Sequence, residues 1–264
     1  MSFKNKVVIV TGGSSGIGAA TAILFAQEGA KVTIVGRNQS KLESVSNKCE
    51  KVGLKPLVVI ADVADDDQAK TIVEKTIKHF GQLDVLVNNA GITSPMNNIE
   101  DPNLMEVFDR VMATNLRSVF LITQLAVPEL KKTKGNIVNI SSVFGMSPVT
   151  HALVYSATKA GLDSFTKCLA LEVAKHGIRV NSINPGPVAT DIIVNLGVDE
   201  DTSNKAWENM GKCTPLGGVS QSEEVADLIV FISSDKAKSC TGGLYPLDRG
   251  TLLLGSMALV KKQD

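Results

Sequence analysis

The sequence is poor in cysteine and in aromatic residues, carries no net charge and lacks a long apolar run. Its four cysteines, Cys49, Cys168, Cys213 and Cys240, are scattered with no CxxC spacing among them. That leaves a zinc site without support, so no metal is expected, and the cysteines read as reduced packing or surface thiols. Twenty-seven basic and 27 acidic residues cancel. Such a balance argues against a nucleic-acid platform, whose affinity rests largely on neutralising phosphates. The short basic run Lys131, Lys132, Lys134 suits a solvated helix end instead, where cations complement the dipole. The apolar tail from Thr251 to Val260 is interrupted by Gly255 and Ser256 and is too short to span a bilayer. Met-Ser-Phe-Lys-Asn-Lys at the start offers no signal-peptide core. The expectation is a soluble, cytoplasmic protein.

What the sequence does have is alternation. Apolar, β-branched runs at Lys6–Thr11, Lys31–Val35, Leu57–Ala61, Leu83–Asn88, Asn136–Ile140, Ile178–Ile183 and Leu244–Leu247 read as strands buried on both faces. Helical patterns lie between them, at Gly16–Glu28, Gln39–Val52, Asp66–Phe80, Leu104–Lys131, Val154–His176 and Glu223–Ser233. The fold class expected from this order is α/β, a parallel sheet covered by helices on both sides. No Pro/Gly/Ser-rich linker and no repeat divides residues 1–264, which read as one domain. Met112 to Val127 is apolar nearly all round, and the helix after Tyr155 carries the small residues Ala157, Ala160, Gly161 and Ser164. Such helices are covered twice, by the sheet and by either a second subunit or more of the same chain. Pro187–Gly218, with the sole tryptophan Trp207, is the least regular stretch and suits a mobile, substrate-covering element.

Thr-Gly-Gly-Ser-Ser-Gly-Ile-Gly, residues 11–18, follows the first strand and opens the first helix. Gly12 suits a turn closed to other residues, Gly16 leaves room for a phosphate at the backbone, and Gly18 lets the helix approach the sheet. Helix-terminal N–H groups after Ser14, Ser15 and Ile17 then face a pyrophosphate, which makes this a dinucleotide site. The second strand ends Val35-Gly36-Arg37-Asn38, where an acidic residue for the ribose 2′-hydroxyl is usual in NAD sites. The planar fork of Arg37 favours a 2′-phosphate, hence NADP. Asp62 and Val63 end the third strand, and Asn88-Asn89-Ala90-Gly91 the fourth, at the edge where open α/β sheets bind ligands. Asp62 either accepts from an adenine amine or caps the next helix. Asn89 and Asn115 are short amides able to brace backbone, and Asn115 in mid-helix runs against propensity. Tyr155 and Lys159 fall four apart, on one helical face. A nearby ammonium favours a phenolate, so the pair reads as a tunable acid and base, with Ser142 thirteen residues before Tyr155.

Taken in order, Thr11–Gly18, Asn88–Gly91, Asn115, Ser142, Tyr155-x3-Lys159 and Asn184-Pro185-Gly186 with Thr190 resemble a short-chain dehydrogenase/reductase of the compact, NADP-preferring type. The resemblance runs from residue 5 to about 250. It implies a Rossmann fold, doubly wound, with seven parallel strands. It also implies a tetrad of Asn115, Ser142, Tyr155 and Lys159. By the same resemblance Tyr155 donates a proton to a carbonyl oxygen that Ser142 also binds. Lys159 lowers the Tyr155 pKa and holds the nicotinamide ribose, and Asn115 positions a water that relays protons to Lys159. Pro185, Gly186, Val188 and Thr190 match the segment that fixes the nicotinamide of NADP(H). Family members often end the last strand Asp-Gly-Gly; this chain reads Asp248-Arg249-Gly250. A basic residue common at Ser15 in NADP members is also missing, so cofactor choice leans on Arg37. His151 either lines the pocket or sits on an exposed loop.

The leading expectation is an NADPH-dependent carbonyl reductase, or the reverse alcohol oxidation. Met146, Val149, Ile192, Ile193 and Leu196 point to an apolar substrate body: a steroid, an isoprenoid or aromatic ketone, or a 3-oxoacyl thioester of the acyl-carrier-protein type. The alternative of another class is a catalytically silent NADP-binding scaffold. A homotetramer, or at least a homodimer, is expected.

Overall fold

The computed structural model describes residues 3–93, 98–147, 149–150 and 152–255. The chain runs β1 (Val7–Thr11), α1 (Gly16–Gln27), β2 (Lys31–Gly36), α2 (Gln39–Val52), β3 (Leu57–Ile60), α3 (Asp66–Phe80) and β4 (Val85–Asn88). It continues through α4 (Leu104–Met112), a π-helical turn at Ala113–Arg117, α5 (Ser118–Thr133), β5 (Asn136–Ile140), α6 (Leu153–Val173) and β6 (Arg179–Pro185). The last elements are α7 (Glu200–Lys212), α8 (Ser222–Ser233) and β7 (Leu244–Leu247). All seven strands are parallel, in the order β3-β2-β1-β4-β5-β6-β7. This is the doubly wound Rossmann architecture.

Strand β1 shows why the apolar runs are continuous. Val8 and Val10 point into a core made with Phe25 of α1, Leu42 of α2 and Ile229 of α8. Ile9 between them points the other way, to Ile72 of α3, Ile122 and Leu130 of α5 and Leu169 of α6. Both faces are dry, so neither set can be polar. Helix boundaries are chemically marked: Asp65 accepts from the N–H groups of Asp67 and Gln68 to start α3, and left-handed Gly81 ends it.

Three expectations about elements change. The single helix expected over 104–131 is interrupted by the π turn between α4 and α5. The helix expected to reach His176 stops at Val173 and finishes in one 3-10 turn. The stretch 187–218 contains a regular helix, α7, whose first turn is capped by Asp199 accepting from the Thr202 N–H.

The strand order reverses between β1 and β4, which opens a crevice at their carboxyl ends. Six loops meet along that edge, those following β1, β2, β3, β4, β5 and β6, and they bring most of the candidate residues together.

Candidate active site

The glycine turn is built around Thr11 and Asn89. Thr11 Oγ1 accepts from the N–H groups of Asn89 and Ala90, each at 3.0 Å, and donates to the Val87 carbonyl. The Asn89 amide donates back to the carbonyls of Thr11 at 2.9 Å and Gly12 at 3.2 Å, tying β4 to the turn. Gly12 is left-handed at φ 65°, and a Cβ there would stand 2.8 Å from Asn89 Nδ2. A Cβ on Gly18 would overlap the Gly12 carbonyl oxygen, so its absence closes α1 onto the turn. At Gly16 the close neighbour is another part of the chain. Its φ is 52°, and the group a Cβ would meet, at 2.9 Å, is the methyl of Thr190. Gly16 therefore admits the segment after β6 rather than only a phosphate. Ile17 packs against the core, while Ser15 caps α1 without a side-chain bond. The first-turn N–H groups of α1 are thus left uncapped by side chains and face the crevice, the arrangement a pyrophosphate fits.

At the end of β2, Gly36 lies against the Ser14 hydroxyl, and the exposed Arg37 guanidinium stands 3.6 Å from Asp62 Oδ2. Asn38 is engaged as the cap of α2: its Oδ1 accepts from the Lys41 N–H at 3.0 Å and from Ser40 Oγ at 2.8 Å. Asp62 does not cap α3, since Asp65 does; Asp62 Oδ1 accepts from the Ala64 N–H at 2.9 Å, beside the buried Val63. One residue passed over in the sequence belongs here. Lys41 donates to Asp191 Oδ2 at 2.7 Å, linking α2 to the segment after Thr190.

Below the crevice, Asn115 occupies the π turn, with its side chain 1 % exposed. Its Oδ1 accepts from the Ile92 N–H and its Nδ2 donates to the Ile92 carbonyl, both at 2.8 Å, with Thr158 Oγ1 at 3.4 Å. The amide group thereby braces the loop after β4. A Cβ on Gly91 would fall 3.5 Å from Asn115 Oδ1 and 3.7 Å from Lys159 Nζ, so the loop passes closely over both.

Ser142 follows β5 and stands beside the Tyr155 phenol. Its Oγ accepts from the Phe144 N–H at 3.2 Å. Lys159 Nζ lies 5.5 Å from the Tyr155 ring centroid and donates to the Ile140 carbonyl at 2.8 Å. Burial pushes the Tyr155 phenol above its ordinary value, and Ser142 opposes that. Burial also draws Lys159 down to about 8, with Asp163 pulling the other way. The expected lowering of Tyr155 by Lys159 is therefore corrected: the group found to lower it is Ser142, and desolvation outweighs it.

Asp163 carried no signal of its own in the sequence beyond its i+4 spacing from Lys159. It is buried, and it accepts from Asn184 Nδ2 at 3.0 and 2.9 Å and from Ser182 Oγ at 3.3 Å. This carboxyl latches α6, which carries Tyr155 and Lys159, to the end of β6.

Beyond that latch, Pro185 ends β6 and Gly186 passes against Asp248, whose Cα would lie 2.8 Å from a Cβ. Buried Val188 pairs with Ser220 as a short parallel bridge, so 189–219 is a loop closed at its stem. Thr190 lies on Gly16. Phe144 lies edge-on to the Tyr155 ring, and near it in the sequence Met146, Val149 and Leu153 are exposed. His151 and residues 94–97 lie outside the described residues.

With this geometry in view, the similarities to known proteins take on meaning. The family described as short chain dehydrogenase matches residues 6–201. A 3-oxoacyl-(acyl-carrier-protein) reductase of Thermotoga maritima is 39% identical over 254 residues, which span 96% of this chain and 100% of that protein. A glucose 1-dehydrogenase of Gluconobacter oxydans is 38% identical over 96% of this chain and 94% of its own length. A short-chain dehydrogenase/reductase of unknown function from Caenorhabditis elegans, solved with cofactor, superposes with a TM-score of 0.92 at 37% identity, covering 97% of this chain and 98% of that one.

Proposed function

The chain belongs to the short-chain dehydrogenase/reductase family, and from that premise we propose that it is an NADPH-dependent oxidoreductase that reduces a ketone to a secondary alcohol, or runs the reverse. One observation carries the reading: Tyr155 has Ser142 beside its phenol and the Lys159 ammonium 5.5 Å from its ring, and Lys159 lies under the loop after β4 at the switch-point crevice.

Enzymes of this family are oxidoreductases that use a nicotinamide cofactor. The uncapped start of α1 would take its pyrophosphate, and the 185–190 segment would hold its nicotinamide end. When bound, that cofactor supplies or accepts the hydride. The protein's part is proton management. A phenol raised by burial stays protonated at neutral pH, which suits a donor to the developing alkoxide. Ser142 bonds the same oxygen, and Lys159 supplies positive charge beside both. Asn115 acts by fixing the loop over Lys159.

NADPH is favoured because the exposed guanidinium of Arg37 stands at the β2 end, where an acidic residue would suit NADH. Residues 187–218 are assigned as the substrate cover. Exposed apolar side chains near Tyr155 in the sequence, Phe144, Met146, Val149 and Leu153, favour a steroid, isoprenoid or acyl ketone over a sugar. The similarity to the Thermotoga reductase supports a 3-oxoacyl thioester as the second reading.

The test is NADPH oxidation against a panel holding a 3-ketosteroid, a cyclic isoprenoid ketone, ethyl acetoacetate and acetoacetyl-coenzyme A, with glucose and NADP in the oxidative direction. Tyr155→Phe is the control and is expected to lower turnover at least ~10²-fold while NADPH still binds. Equal inertness of wild type and variant, with NADPH bound by both, would mean a binding scaffold instead.

A further inference from the structure

Arg249 has a left-handed backbone, φ 53°, immediately before Gly250 at φ 85°. An arginine is disfavoured there because its Cβ crowds the following carbonyl. Such a conformation persists only where its surroundings hold it, and here they do. The guanidinium donates from Nη1 to the Gly217 carbonyl at 3.1 Å, and from Nη2 to both oxygens of Glu224 at 3.1 Å. The Arg249 carbonyl accepts from the Leu216 N–H at 3.2 Å, and Gly250 packs on Pro215, which a Cβ would meet at 3.1 Å. Glu224 is itself fixed, since it accepts from the Gln221 N–H at 2.6 Å in the first turn of α8. On its other side Arg249 follows Asp248, the residue that touches Gly186.

Arg249 therefore joins three pieces of chain: the 185–186 segment through its neighbour, the return leg 215–217 behind α7, and the fixed start of α8. We propose that Arg249 is a positioning residue that tethers the return leg of the 187–218 cover, holding that segment over the substrate mouth; this rests on the assignment of 187–218 as the cover. The strained backbone is the cost of placing a guanidinium where glycine would leave the return leg unanchored.

The sole tryptophan makes the tether measurable without turnover. Trp207 on α7 lines a groove of about 430 Å³ with Gly211, Gly217 and Gly218, so it senses the carbonyl that Arg249 holds. Arg249→Gly removes tether and strain together. It should raise acrylamide quenching of Trp207 about 2-fold, speed amide exchange across 213–219 about 10-fold, and leave NADPH affinity within about 2-fold. It should also raise KM for the best-turned-over carbonyl of the panel about 5-fold while kcat moves less. Arg249→Lys keeps the strain and the charge but loses the fork, so it should loosen Trp207 equally and melt below Arg249→Gly. Glu224→Gln, which retains an acceptor for the Gln221 N–H, should fall between wild type and Arg249→Gly. Quenching and exchange left unchanged by Arg249→Gly overturn the tether. Looser Trp207 with KM unmoved overturns the positioning role and the assignment of 187–218 as cover. A wild type inert toward the whole panel removes the reductase reading alone, and quenching and exchange still decide the tether.

Discussion

Lys159 and Asp163 sit one turn apart in α6, both nearly sealed from solvent, and neither is free to titrate as it would in water. Desolvation takes the lysine down to about 8, and the charge of Asp163 holds it from falling further. If the ammonium is needed beside the phenol, reduction should decline as pH rises through about 8. Replacing Asp163 by Asn removes the one charge that raises Lys159, so the alkaline limb should move to lower pH. A pH profile of kcat/KM checks this, and a merely structural latch would lower the rate without moving the limb. At the opposite end of the crevice the argument is about charge sign. Arg37→Asp exchanges a fork for a carboxylate beside Asp62, so NADPH should bind at least ~10-fold more weakly while NADH is little affected. Fluorescence titration with both cofactors measures the ratio, and an unchanged ratio would return Arg37 to an ordinary surface arginine.

Between elements, the helices next to the crevice are pinned by a buried polar ladder. Asn88 on β4 donates to Asn139 on β5 at 2.9 Å, and Asn139 donates to Thr166 on α6 at 2.9 Å. Asn88 also reaches Thr123 of α5 at 3.2 Å. Asn139→Leu would leave the Asn88 amide and the Thr166 hydroxyl short of partners in a dry layer, which should cost about 2–3 kcal/mol in urea denaturation. None of this ladder was legible in the sequence, because strand asparagines carry no sign of which helix they will face. The strands were legible, since burial on both faces forces an unbroken apolar run such as Val7–Val10. The glycine turn was legible too, with Gly12 and Gly18 set by contacts to Asn89 and to the turn itself. The contact of Gly16 with Thr190 was not legible, because Thr190 comes from far along the chain. The π turn escaped notice because it changes hydrogen-bond register without changing the apolar pattern, although the misplaced Asn115 hinted at it. Helix α7 was hidden by its weakly apolar face, where capping by Asp199 rather than burial marks the start.

For the whole molecule, the question is what covers α4 and α5. Gly161 of α6 proves to serve its own chain, since a Cβ there would stand 3.1 Å from Leu116 Cδ2. That settles one of the small residues of α6 as intrachain packing. It does not account for Phe120, which is 48% exposed although its ring lies 3.9 Å from that of Phe165. Met105 and Phe108 of α4 are exposed as well, and Met112, Leu116 and Phe120 line a groove of about 480 Å³ along the π turn. A second copy of the chain is the proposed cover. In a two-fold arrangement each contact occurs twice, so one substitution acts on both sides of the interface. Burying one phenyl ring is worth about 1.5–3 kcal/mol, and Phe120→Lys would lose that twice over while adding two desolvated ammonium groups. Wild type should scatter light as a dimer or tetramer, and Phe120→Lys as a smaller species with a melting point that no longer depends on concentration. The variant should still bind NADPH, which separates dissociation from unfolding. A wild type that is monomeric at micromolar concentration would mean that this apolar face has no second copy on it.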